Sequence, residues 1–103
     1  MFKVTKMASK QIRAQAHSSD VEELALRIAA TRGPDQSISY KMGFDEIGEG
    51  DTVVNSAGVD VLIAVSDKAL LNGAVLDYVE LEPGRFHFIF LNPNDPHFGP
   101  PTE

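Results

Sequence analysis

The feature that most limits what this chain can fold into is a period of two. Leu24, Leu26 and Ile28 alternate with Ala25, Arg27 and Ala29, and Ile38, Tyr40, Met42 and Phe44 alternate with Ser39, Lys41 and Gly43. Val59, Val61, Ile63 and Val65 face one way while Asp60, Leu62 and Ala64 face the other, and residues 75–81 and 86–91 read as two further strands. Side chains of a strand point alternately to opposite faces, so these stretches read as strands with one face toward a core. Phe86, Phe88 and Phe90 share one face of the last strand and are expected to anchor that core. Val53 and Val54 mark a short strand after an acidic, glycine-containing loop over 45–51.

Turn chemistry separates the strands. Residues 32–36, Arg-Gly-Pro-Asp-Gln, form one turn, and Glu82-Pro83-Gly84-Arg85 suits a type II turn, with proline setting the first φ and glycine accepting the positive second one. Two segments carry the helical period instead. Thr5 is placed to cap a helix beginning at Lys6, with Ala8, Ile12 and Ala16 on its buried stripe. A second, short helix is expected after Ser66 as N-cap, ending at Asn72-Gly73. The order predicts one α+β domain over residues 1–91, with mixed or antiparallel sheets, an N-terminal helix and a short second helix. Residues 92–103 hold four of the six prolines and are expected to form a flexible tail.

Composition narrows the function. The chain has 103 residues, 43% of them hydrophobic, and no apolar run near the roughly 20 residues that span a bilayer. A cytoplasmic protein without a membrane segment is expected. The absence of cysteine excludes disulfides, thiolate metal sites and cysteine nucleophiles. The net charge of −6 argues against nucleic acid as the main ligand, because that affinity rests on Lys and Arg. The charge is unevenly spread: residues 1–17 hold Lys3, Lys6, Lys10 and Arg13 and no acid, while the remainder carries a net −10. Those four cations are the candidate partner-binding residues, set against the simpler reading of a solvated helix face.

Motifs for catalysis are missing. No phosphate-binding glycine loop, HExxH or G-x-S-x-G sequence occurs. His17 suits the C-terminal end of the first helix. His87 is expected to be a partly buried, satisfied histidine between two phenylalanines. His97, two residues after Asp95, forms an Asp-x-His pair too small to make a metal site alone. Asp35 is explained by its turn. Asp77 lies in the apolar run Val75-Leu76-Asp77-Tyr78-Val79, where an aspartate needs hydrogen-bond partners. With His87 on the returning strand it is the one candidate acid–base pair.

Several stretches together resemble the A-type iron–sulfur cluster carriers, the HesB-like family. They are Leu26-Arg27-Ile28, the segment from Ser37 to Phe44, the run from Gly58 to Gly73, Leu76-Asp77-Tyr78-Val79, and Phe88-Ile89-Phe90-Leu91-Asn92-Pro93-Asn94. The resemblance implies a β-sandwich fold of mixed sheets. It also implies three cysteine ligands, one in the turn before the tyrosine strand and two in the tail. Here those positions fall on Asp35 and, without gaps, on about Gly99 and Pro101. No cluster cofactor is therefore expected. Because relatives assemble partly around a bridging cluster, a monomer is expected.

Within the family the chain is most similar to a cysteine-less, DsrR-like branch tied to dissimilatory sulfur oxidation. The Tyr-Val-Glu-Leu-Glu-Pro-Gly turn and the Asn-Pro-Asn-Asp-Pro tail carry that likeness. It implies a non-catalytic interaction or regulatory factor with protein partners. The alternative is an iron chaperone in iron–sulfur protein maturation with oxygen and nitrogen ligands, drawn from Asp35, Tyr40, His87 and His97.

Overall fold

A computed structural model describes residues 1–95. The elements are β1 (Lys3–Val4), α1 (Lys6–Ser18), β2 (Ala25–Arg32), β3 (Ile38–Asp45), β4 (Asp51–Ser56) and β5 (Val59–Ala64). A 3₁₀ turn (Val65–Asp67), α2 (Lys68–Leu71), β6 (Val75–Glu82) and β7 (Arg85–Leu91) complete them. They form a three-stranded sheet in the order β1-β6-β7 and a four-stranded sheet in the order β3-β2-β5-β4. Pairs β1/β6 and β2/β5 are parallel, and the other pairs are antiparallel. This is the expected α+β architecture.

Alternation builds the core. Leu26, Ile28 and Ala30 of β2, with Val59, Val61 and Ile63 of β5, are buried on one face of the larger sheet. Val4 and Leu76 are buried in the smaller one, and Ala8, Ile12 and Ala16 complete the core from α1. The two sheets meet through aromatic rings: Tyr40 stacks on Phe90 at 4.0 Å with the ring planes 6° apart, and Phe2 tilts against Phe90 at 6.5 Å. Leu62 is buried on the second face of β5, which the alternation alone would leave to solvent.

Helix α1 is held where the smaller sheet begins. Thr5 Oγ1 accepts from the Ala8 amide at 3.1 Å and donates to Asp77 Oδ1 at 2.6 Å. One hydroxyl thus caps the helix and satisfies the half-buried carboxylate on β6. Buried Ser9 donates to the Ala57 carbonyl at 2.7 Å, in the tight turn between β4 and β5. Ala57 and Gly58 there have φ of 52° and 81°, the left-handed pair that a two-residue hairpin turn requires. Gly84 at φ 77° matches the turn expected between β6 and β7.

Four local expectations change. Ser66 makes no cap hydrogen bond: the 3₁₀ turn starts one residue earlier, and Asp67 instead accepts from the Ala30 amide at 3.3 Å. Val65 leaves the strand for that turn and is exposed. Phe86 is 45% exposed and stacks on Tyr78 of the neighbouring strand, so the aromatic face of β7 enters the core only at its Phe88 and Phe90 end. His87, expected to be partly buried, is exposed. Among the described residues no helix is long and apolar enough to cross a membrane.

Candidate functional site

One region gathers the residues nearest to the expected ligand positions. Asp35 sits in the turn between β2 and β3, where its Oδ1 accepts from Ser37 Oγ at 2.6 Å and from the Ser37 amide at 3.2 Å. These bonds are the side-chain turn that aspartate favours. Arg32 ties this turn to the segment after β7: Nη1 donates to the Gln36 carbonyl at 2.6 Å and Nη2 to the Asn94 carbonyl at 3.2 Å. The turn and the start of the tail are therefore adjacent.

Asn92 organises the same end from within. It is 1% exposed, and its Nδ2 donates to the Leu70 carbonyl at 2.7 Å and to the Tyr40 hydroxyl at 3.1 Å. Its Oδ1 accepts from the Asn94 amide at 3.0 Å, while Asn94 Nδ2 reaches the Asn72 carbonyl at 2.8 Å. The tail root is thus clasped to the loop after α2. Burial pushes the Tyr40 phenol above its ordinary range, the Asn92 hydrogen bond offsets part of this, and the Asp95 carboxylate adds to the rise.

The other named residues are dispersed. His87 lies opposite Val79 and Asp77 opposite Ile89, so the two are diagonal neighbours on one face of the hairpin. Asp77 Oδ1 is already engaged by Thr5 and by the Tyr78 amide at 2.8 Å. His97, with Gly99 and Pro101, lies outside the described residues. Among the described residues no group of three or more His, Cys, Asp or Glu side chains is placed to hold a metal ion. The donor set does not fit an iron–sulfur cluster, since no thiolate is available anywhere in the chain.

A charged centre that the sequence did not reveal lies on the opposite face of the larger sheet. Arg27 forks onto Asp51, with Nη1 and Nη2 each 2.7 Å from a carboxylate oxygen, and its Nε donates to Asp45 Oδ2 at 2.7 Å. These bonds raise the guanidinium pKa further and hold Asp51 down at about 2, with Asp45 also lowered. The Gly48 amide donates to Asp51 at 2.7 Å as well, closing the acidic 45–51 loop. Every guanidinium edge is occupied, so this arginine staples a loop and presents no open site. Two acids spaced around a glycine loop were the available signal, but only the fold shows that one arginine serves both.

Lys3, Lys6, Lys10 and Arg13 are all exposed. No ion pair among the described residues involves them.

No protein-family model matches the chain. It is 34% identical over 94 residues to the iron–sulfur cluster insertion protein ErpA 2 of Methylococcus capsulatus, covering 90% of this chain and 72% of that one. It is 38% identical to a protein of Aquifex aeolicus with a solution structure, at a TM-score of 0.67 over 89% of this chain and 91% of that one. The crystal structure of IscA with a [2Fe-2S] cluster superposes at a TM-score of 0.72 over 90% of this chain and 86% of that one, at 24% identity.

Proposed function

Since the chain belongs to the A-type iron–sulfur cluster carrier (HesB-like) family, we propose that it is a thiol-free member that acts by protein contact and carries no cluster. One observation carries this reading: the chain folds into the two sheets and buried core of the carrier scaffold, while its sequence contains no cysteine. Cluster transfer needs exchangeable thiolates, and binding to a partner does not. In this proposal the chain is a non-catalytic, regulatory factor of the cytoplasm whose partners are proteins of bacterial sulfur oxidation; the sequence resemblance to the cysteine-less, DsrR-like branch is what supports it.

The test is photo-crosslinking of tagged protein in sulfur-oxidising cells. The reading expects one reproducible adduct with a sulfur-oxidation protein or with a factor controlling its expression. Adducts indistinguishable from those of an unrelated acidic domain would contradict it.

Iron loading through oxygen and nitrogen ligands is the second reading, and one observation favours it. Arg32 brings the Asp35 turn beside the root of the tail that leads to His97. Retention of one ferrous ion per chain, lost on Asp35→Ala, is the result this reading requires.

A further inference from the structure

Helix α1 turns once every 3.6 residues, so Lys6, Lys10 and Arg13, spaced four and three apart, form one stripe. Their Cα atoms are separated by about 6 Å and about 4.5 Å along the axis. Met7, 52% exposed, stands beside them. The stripe does not end in open solvent. Arg13 also lines a cleft of 260 Å³ walled by Ile12, Ala16, Leu24, Leu26, Phe44 and Val59. Gly58 lies beside the guanidinium: a Cβ on it would be in ordinary contact with Arg13 Nη1, at 3.8 Å. The cleft's other charged groups are Glu22 and Asp60. Each already has a partner, His17 at 2.9 Å and Asn55 at 2.9 Å respectively.

We infer that the α1 stripe and this cleft form one docking surface for a short acidic segment of a partner protein that ends in an apolar anchor residue. The inference rests on the protein-contact reading above and names the partner's chemistry. An extended segment places alternate side chains about 6.6 Å apart on one side. That spacing sets acids over Lys6 and Lys10, brings a third to Arg13, and delivers the next apolar side chain into the cleft. Glu22 and Asp60 then repel any acid beyond the anchor, which fixes the segment's polarity. A second copy offers its own 45–51 loop, where Ile47 is 65% exposed between Glu46 and Glu49. Arg27 already holds Asp45 and Asp51 of that loop, and two copies of net charge −6 repel, so a separate partner is favoured.

The test uses the full chain and a fluorescein-labelled peptide with three glutamates at alternate positions followed by leucine. Fluorescence anisotropy is expected to show saturable binding that weakens as salt rises. Lys10→Glu with Arg13→Glu is expected to weaken it at least tenfold, with an unchanged circular dichroism spectrum. Replacing the peptide's leucine by serine is expected to cost tenfold or more against the parent protein. No binding, or a serine peptide that binds as well as the leucine peptide, overturns the inference. So does duplex DNA displacing the peptide at lower concentration, or a sedimenting dimer that the peptide dissolves. A crosslinked partner that survives the double substitution sinks this surface and leaves the protein-contact reading standing. Peptide binding without any cellular partner does the reverse.

Discussion

Two regions of the molecule treat their polar groups in opposite ways. Around Asn92 the Tyr40 hydroxyl, the carbonyls of Leu70 and Asn72, and Asn94 satisfy one another within the chain. Along α1 three cations stand in line, with no ion-pair partner among the described residues. Two arginines make the same contrast at closer range: Arg27 is saturated by two carboxylates, while Arg13 lines an open cleft without an ion-pair partner among the described residues. A saturated network contributes rigidity and offers little to a ligand. An unpaired stripe contributes little to stability and leaves its charges available to a partner. The tail root is closed by amides, and the unpaired charges lie on the helix.

The largest effect that sharpens this contrast is expected from Asn92→Ala. It removes one of the two side-chain amides that donate to the Leu70 carbonyl and leaves the Asn94 amide without its acceptor, and it is expected to cost about 2 kcal/mol in urea unfolding. Loss of less than about 0.5 kcal/mol would show that water replaces the clasp without penalty.

Acid is the next lever. Asp51 has its pKa depressed to about 2 by Arg27 and the Gly48 amide, against roughly 3.9 in the unfolded chain. A depressed carboxylate contributes stability that is fully present above the unfolded value and is lost as pH falls through the folded one. Stability is therefore expected to drop between about pH 5 and pH 2. Asp51→Asn is expected to flatten that slope in denaturant midpoints measured across the range. An unchanged slope would assign acid unfolding to other carboxylates.

Tyr40→Phe is a smaller change. It removes one acceptor from Asn92 but keeps the stacking on Phe90, and an effect of about 1 kcal/mol is expected in the same unfolding assay. The smallest expected effect has the opposite sign. Lys6 opens α1, whose first turn contains no acid. Lys6→Glu places a negative charge at the helix N-terminus and is expected to raise stability by about 0.3–1 kcal/mol. Measurable destabilisation would mean that the stripe helps hold the fold.

Much of this architecture was legible from local pattern. The runs at β3, β5, β6 and β7 and the Thr5 cap follow from period, turn residues and a hydroxyl at the right place. What escaped has a common cause. Strand β1 is two residues long and exists through its parallel pairing with β6, more than seventy positions away. Alternation assigned Phe86 to the face of Phe88 and Phe90 but carries no information on how far the opposing layer extends. The bonds from Arg27 to its two acids and from Asn92 to Tyr40 and Leu70 join residues 18 to 52 positions apart, and nothing local announces them. Asp35 was readable together with its local turn to Ser37, whereas the Asn92 partner of Tyr40 depends on the tertiary fold.

The claim that this scaffold works without cargo is tested most directly by anaerobic ferrous-iron titration of the full chain, with and without sulfide, followed by desalting and metal analysis. The account predicts no stoichiometric iron and no cluster absorption on the protein. One retained iron per chain, or a cluster chromophore that survives desalting, would contradict it.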